Sequence, residues 1–365
     1  MQRFASANNT RCHQIPPLTA PLSFLRDQGV PYARQRGMRF DRPCWIAACA
    51  LVLGVAIAGG CAEPKAGLLV MAHGGDTGWN EDVDAAVAPL RSDRPTEVAL
   101  GMAVTSTIRD AVQKLEARGV ERVAVVRMFI SGESFLEPTE YILGMRSNLP
   151  PTDHNLHAAA ANPHASHGAN GHAEHASGPH DAHAAAGHDG HAGHGGHRME
   201  PPQRIAAKSE FLVSRAGVAE SPLIDQILVD RVRSLSTDPA SESVLILGHG
   251  PGDDAENERW LANMRRRAAG IAQLGRFREI RCETLREDWP DKRVAAESRI
   301  RQFVENGARD GGRVIVVPFR VAGFGPYKEV LDGLTYVADG RGFCPHPNMT
   351  RWIQETAQEC LATRK

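Results

Sequence analysis

Histidine carries most of the chemistry this sequence makes available. Residues 154–197 hold 12 of the chain's 16 histidines. They fall as H-x-x-H pairs: His154 with His157, His164 with His167, His172 with His175, and His180 with His183. His188, His191, His194 and His197 continue the step. Neutral imidazole suits Co, Ni, Cu and Zn, and a pliable chain folds two to four rings around one divalent ion. All twelve are therefore candidate metal ligands. Raw affinity follows the Irving–Williams order, so the segment does not by itself select cobalt. Storage, delivery and detoxification all fit, and a solvated linker with incidental histidines is the plainer alternative. The alanine, glycine, asparagine and proline between the pairs have almost nothing to bury, which predicts a disordered surface loop.

Two further histidines stand apart, each directly after a buried apolar run and before glycine: Met71-Ala72-His73-Gly74-Gly75 and Leu247-Gly248-His249-Gly250-Pro251. In an open parallel sheet, ligands bind in the crevice beyond the strand carboxyl ends. His73 and His249 are therefore candidate metal ligands or bases, a hydrogen-bonded structural role being the alternative. Gly74 and Gly75 would let a bulky flat ligand approach the backbone closely.

The elements that must position these residues follow a repeated βα pattern of short apolar runs alternating with helical periodicity. In the first half the strands are expected at Gly67–Ala72, Thr96–Met102 and Arg122–Ile130, and the helices at Asn80–Arg91, Ser106–Arg118 and about Pro138–Met145. The second half repeats the order. Strands are expected at Ser243–Leu247, Arg278–Leu285 and Arg313–Val317, and helices at Asp254–Leu274, Lys292–Gly307 and near Tyr327–Leu334. Each half gains a closing unit, strand Arg204–Val213 with helix Pro222–Leu235 in the first, and strand Gly342–His346 with helix Asn348–Ala362 in the second. Asn80 and Asn257 hold matching places, so gene duplication is the economical explanation. The expected fold is α/β: two similar flavodoxin-like domains, parallel sheets flanked by helices, over 61–240 (interrupted by the insert) and 241–365.

The 365 residues suffice for two such domains. Net charge is −1 and no polybasic stretch interleaves with aromatics, which excludes the electrostatic footprint of a nucleic-acid binder. Seven cysteines occur without a C-x-x-C pair. One is informative. The apolar run Trp45–Ala58 is too short to span a bilayer, follows Arg39 and Arg42, and ends in Ala58-Gly59-Gly60-Cys61. This reads as a lipoprotein signal peptide starting at Met38, with residues 1–37 a mis-assigned start and Cys61 the lipidated residue. An uncleaved anchor or a buried helix is the alternative. The processed chain would carry 35 basic and 41 acidic residues and sit on the cell envelope, tethered by lipid alone. Without processing it would be cytoplasmic.

Several of these runs together resemble the sirohydrochlorin cobaltochelatase (CbiX) family of class II chelatases. They are Leu68 to Gly74, Trp79-Asn80, Phe129-Ile130-Ser131-Gly132, the histidine-rich insert, Gly248 to Pro251 and Val316 to Gly323. The resemblance implies insertion of a divalent metal into a tetrapyrrole, cobalt favoured and Ni, Zn or Fe open, with His73 as the first catalytic histidine. The family's second histidine would fall at Ser134 or Gly325, so neither half carries the usual pair. Glu133 and Glu137 are candidates to supply a base or an oxygen ligand instead, or are solvated loop carboxylates. Arg127 and Arg320, near the same strand ends, are candidates to bind substrate carboxylates. Two functions follow: a tetrapyrrole chelatase, or a membrane-tethered metal scavenger or metallochaperone that keeps the fold without the reaction.

Overall fold

The computed structural model describes residues 64–148 and 201–363. Cys61 with its apolar run lies outside the described residues. So does the whole set of insert histidines expected to bind metal: His154, His157, His164, His167, His172, His175, His180, His183, His188, His191, His194 and His197. Each half builds its own parallel sheet. In the first, β1 (Ala66–Ala72) lies between β2 (Thr96–Leu100) and β3 (Arg122–Arg127), with β4 (Glu210–Val213) beyond β3. In the second, β5 (Glu242–Gly248) lies between β6 (Glu279–Thr284) and β7 (Arg313–Phe319). The central strands β1 and β5 are continuous apolar runs because both faces of a parallel sheet are covered.

Strand alternation divides that apolar set between two sides. Leu69 and Met71 of β1 pack with Ile108, Leu115 and Ile142, a core private to the first half. Leu245 and Leu247 of β5 pack with Ile300, Phe303 and Tyr327, a core private to the second. The opposite faces, Leu68 and Val70 of β1 with Val244 and Ile246 of β5, belong to one core common to both halves. The described residues accordingly form one compact unit.

Helices fill the layers between: α1 (Thr77–Val87), α2 (Thr105–Ala117), α3 (Leu136–Ile142), α4 (Leu223–Leu235), α5 (Asp254–Ala268), α6 (Pro290–Gly307), α7 (Tyr327–Val330) and α8 (Pro347–Ala362). The closing helices are exchanged. α8, which ends the second half, packs on β1, β3, β4 and α1 of the first, and Thr350 Oγ1 donates to Ala86 O at 2.7 Å. α4, which ends the first half, packs on β7 and α5 of the second. Helical period shows that α8 has an apolar face, Met349, Trp352, Ile353 and Ala357, but not which sheet that face covers.

The closing strands differ from expectation too. Only Glu210–Val213 pairs with β3, and residues 204–209 are irregular. Residues 342–346 are not a strand: the amides of Phe343 and Cys344 donate to Arg320 O and Val321 O, and a single bridge joins Val337 to Ile315. Pro345 and the cap at His346 leave no run long enough to pair. Cys282, Cys344 and Cys360 are buried free thiols. Among the described residues no helix is long and apolar enough to cross a membrane.

Candidate functional site

Both strand-end loops are rigid for reasons internal to the protein. Gly74 takes φ +82°, a conformation that favours glycine, and an added Cβ would press on Leu100 at 3.3 Å. At Gly75 a Cβ would stand 2.9 Å from the Trp79 ring. The Asn80 amide clasps Gly75, accepting from its N–H and donating to its carbonyl at 3.0 Å each, and Asp76 caps α1 by accepting from Trp79 N at 2.8 Å. Backbone geometry and the Trp79 ring thus call for glycine at both places, independently of the expected approach of a ligand. In the second half Gly250 repeats the positive φ, while Asn257 instead accepts from Thr284 Oγ1 at 2.7 Å.

The two histidines differ in what their ring nitrogens meet. His73 is exposed at the carboxyl end of β1, and its Nδ1–H donates to Gly74 O at 2.9 Å. Nε2 has no partner among the described residues, so the neutral ring presents a lone pair outward. Desolvation by the surrounding protein pushes its pKa below the ordinary value; the hydrogen bond to Gly74 O opposes this, the charges of Arg320 and His249 add to the lowering, and Asp288 raises it slightly. At His249, Nδ1 faces Gly250 O at 2.7 Å while Nε2 faces Asp288 Oδ2 at 3.0 Å and Glu287 Oε2 at 3.8 Å. Two acceptors call for two N–H groups, the imidazolium. Burial opposes that charge, but the Asp288 hydrogen bond and the Glu287 and Asp288 carboxylates outweigh it and raise the pKa. The ring expected to ligate metal is hydrogen-bonded here to Gly250 and Asp288.

Glu287 and Asp288 follow β6 directly, and neither was singled out in the sequence. The signal was there, since the carboxyl-end rule that marks His73 applies equally to Leu285-Arg286-Glu287-Asp288. Glu287 also pairs with Arg320, whose guanidinium lies 5.6 Å over the Tyr327 ring. Any side chain at Gly325 would run into that guanidinium, 2.7 Å from a Cβ, so the place of a second histidine is taken by Arg320. Arg320 therefore stands at the crevice, though already paired.

Three expected site residues lie elsewhere. Arg127 is 1% exposed. Its guanidinium donates to the carbonyls of Ser214 (3.0 Å), Ser134 (2.7 Å), Gly132 (2.7 Å) and Arg215 (3.3 Å), which ties the loop after β3 to the end of β4. Burial, with the charge of Arg215, lowers its pKa to about 10. Its expected role in substrate binding is corrected to a structural clamp, because β3 is covered on both faces. Glu137 pairs with Arg146 at 2.9 Å on the solvent side. Glu133 faces Arg259 at 3.5 Å along a groove of about 610 Å³ lined also by Ile130, Trp260 and Phe319, which includes neither histidine. The charged neighbours of His73 come from the second half rather than from these carboxylates.

Among the described residues no three His, Cys, Asp or Glu side chains converge into a set that could hold a metal ion. What the crevice offers is one neutral imidazole lone pair beside a charged imidazole–carboxylate pair. No family model matches the chain, and no curated protein does. Solved chelatase structures do resemble it. SirB from Bacillus subtilis with Fe3+ is 11% identical, over 82% of this chain and 96% of that one, with a TM-score of 0.49. The sirohydrochlorin chelatase SirB from Bacillus subtilis subspecies spizizenii in complex with cobalt is 12% identical, over 81% and 95%, with a TM-score of 0.41. DR2241 from Deinococcus radiodurans, a multi-domain protein with structural similarity to chelatases, is 15% identical, over 82% of this chain and 56% of its own, with a TM-score of 0.45. At such values they carry no functional conclusion for this chain.

Proposed function

We propose that the protein inserts a divalent metal ion, cobalt by preference, into a tetrapyrrole of the sirohydrochlorin class. The observation that carries this reading is the Nε2 of His73, without a partner among the described residues at the carboxyl end of β1, with Arg320, His249 and Asp288 of the second half as its charged neighbours. Metal insertion needs a group that holds the ion loosely and a group that takes pyrrole protons. A neutral imidazole held on one nitrogen can do either through the other. A site that held metal through three or four ligands would retain it rather than pass it on, and none is present among the described residues. His249, Asp288 and Glu287 supply fixed charge beside the incoming ion. The preference for cobalt rests on the resemblance of the sequence motifs to the cobaltochelatase family. Incubating the full chain with sirohydrochlorin and Co²⁺ tests the reading: the absorption spectrum should shift from the free to the metallated macrocycle faster than without protein, and equal rates would overturn it.

A second reading is favoured by a different observation, the H-x-x-H repeat downstream of Cys61. Here the chain is a lipid-anchored protein of the cell envelope that binds divalent metal through the paired histidines of residues 154–197 and performs no insertion. Bound metal without any spectral change in the macrocycle would favour it.

A further inference from the structure

Two tryptophans near the strand-end loops are not explained by duplication. Trp79 lies six residues after His73, in the first turn of α1, and Trp289 lies forty residues after His249, immediately before α6. Matching Asn80 with Asn257 puts Glu256 opposite Trp79, and matching Leu100 with Thr284 by strand register puts Thr105 opposite Trp289. Each half has acquired its indole at a different place in its own pattern, yet Trp79 lies against Gly75 in the loop after His73 and the Trp289 ring meets His249.

Both indoles are half-buried, and each lies over a glycine that has no room for a side chain. Trp79 covers Gly75, and across the halves its Cδ1 stands 3.4 Å from where a Cβ on Gly323 would be. Trp289 covers Gly252, whose carbonyl accepts from Arg286 at 2.5 Å and Lys292 at 2.7 Å, so the loop cannot retreat. Its ring meets His249 edge-on, centroids 6.1 Å apart at 85°. Aromatic rings prefer tilted or offset contacts to flat sandwiches, and a conjugated macrocycle meets an indole on the same terms.

We infer that Trp79 and Trp289 grip the flat face of the substrate and determine that the crevice takes a planar conjugated macrocycle. The inference rests on the chelatase reading and names the residues that recognise the ring as distinct from those that handle metal. Arg320, already paired with Glu287, supplies a fixed cation between the two halves rather than a free anchor.

The probe is metal-free uroporphyrin, a planar macrocycle with eight carboxylates, titrated into the full chain while tryptophan emission and the macrocycle absorption are followed. Trp79→Leu and Trp289→Leu should each weaken binding about tenfold, the loss expected for one aromatic contact, while the phenylalanine variants stay within about threefold of wild type. Trp260→Leu, in the separate groove, should leave the Kd unchanged. Trp79 also packs against the common core, so circular dichroism and melting accompany each variant, and Trp289→Leu decides if Trp79→Leu does not fold. Wild-type affinity in both leucine variants, or a loss in Trp260→Leu alone, overturns the inference while macrocycle binding stands. Failure of the wild type to bind uroporphyrin overturns the chelatase reading itself.

Discussion

At the scale of single residues, two histidines in matching positions have been given opposite states by their neighbours. His73 keeps a lone pair free, and His249 is held between a carbonyl and a carboxylate. Asp288→Asn should therefore lower the pKa of His249, read by NMR from the imidazole signals that His249→Gln removes. The folded pKa lies above the ordinary 6.5. Charged His249 thus stabilises the fold below the unfolded value and loses that contribution as pH rises through the folded one. In Asp288→Asn this loss should begin at lower pH; an unchanged titration would contradict the hydrogen-bond assignment. Arg127→Met should cost about 3 kcal/mol in denaturant melts, because several buried carbonyls lose their donor. A raised KM with unchanged stability would return Arg127 to the substrate. His73 was legible from sequence because a buried run, a histidine and a positive-φ glycine fall in succession. Arg127 was not, since the same strand-end position is compatible with a guanidinium turned outward or inward, and only the carbonyls gathered from Ser214, Gly132 and Ser134 decide it.

At the scale of elements, apolar runs located every strand of the two sheets except the closing ones, because a strand buried on both faces has no polar position to blur it. Helix starts shifted where the cap lies upstream of the apolar period: Asp76 begins α1 at Thr77 rather than Asn80. The exchange of α4 and α8 left no mark on periodicity, since an apolar stripe records burial and not the identity of the partner. It has a measurable consequence. Ile353→Ala should cost about 2 to 5 kcal/mol as a fully buried large-to-small change. Amide exchange should then rise in β1 and β3 as well as in the second sheet. A rise confined to β5, β6 and β7 would mean that α8 covers its own half.

At the scale of the whole molecule, the two sheets share one core, and the charges of Arg320, His249 and Asp288 in the second half act on His73 in the first. The histidine-rich segment between α3 and β4 is proposed to bind metal independently of His73. Deleting residues 154–197 should remove most bound divalent metal and leave the melting transition in place, and the metal bound by the intact chain should fall as pH drops through about 6.5. A deletion that unfolds the protein, or binds as many ions as before, would make the insert something other than a metal-binding appendage. The central claim is that metal passes through His73 into the macrocycle. Its most direct test is the rate at which Co²⁺ enters sirohydrochlorin, followed by absorption, with the full-length protein and its His73→Ala variant at equal total bound cobalt. The rate should fall at least about a hundredfold in the variant, as for loss of a catalytic base, with the cobalt content nearly unchanged. Equal rates in the two proteins would contradict it.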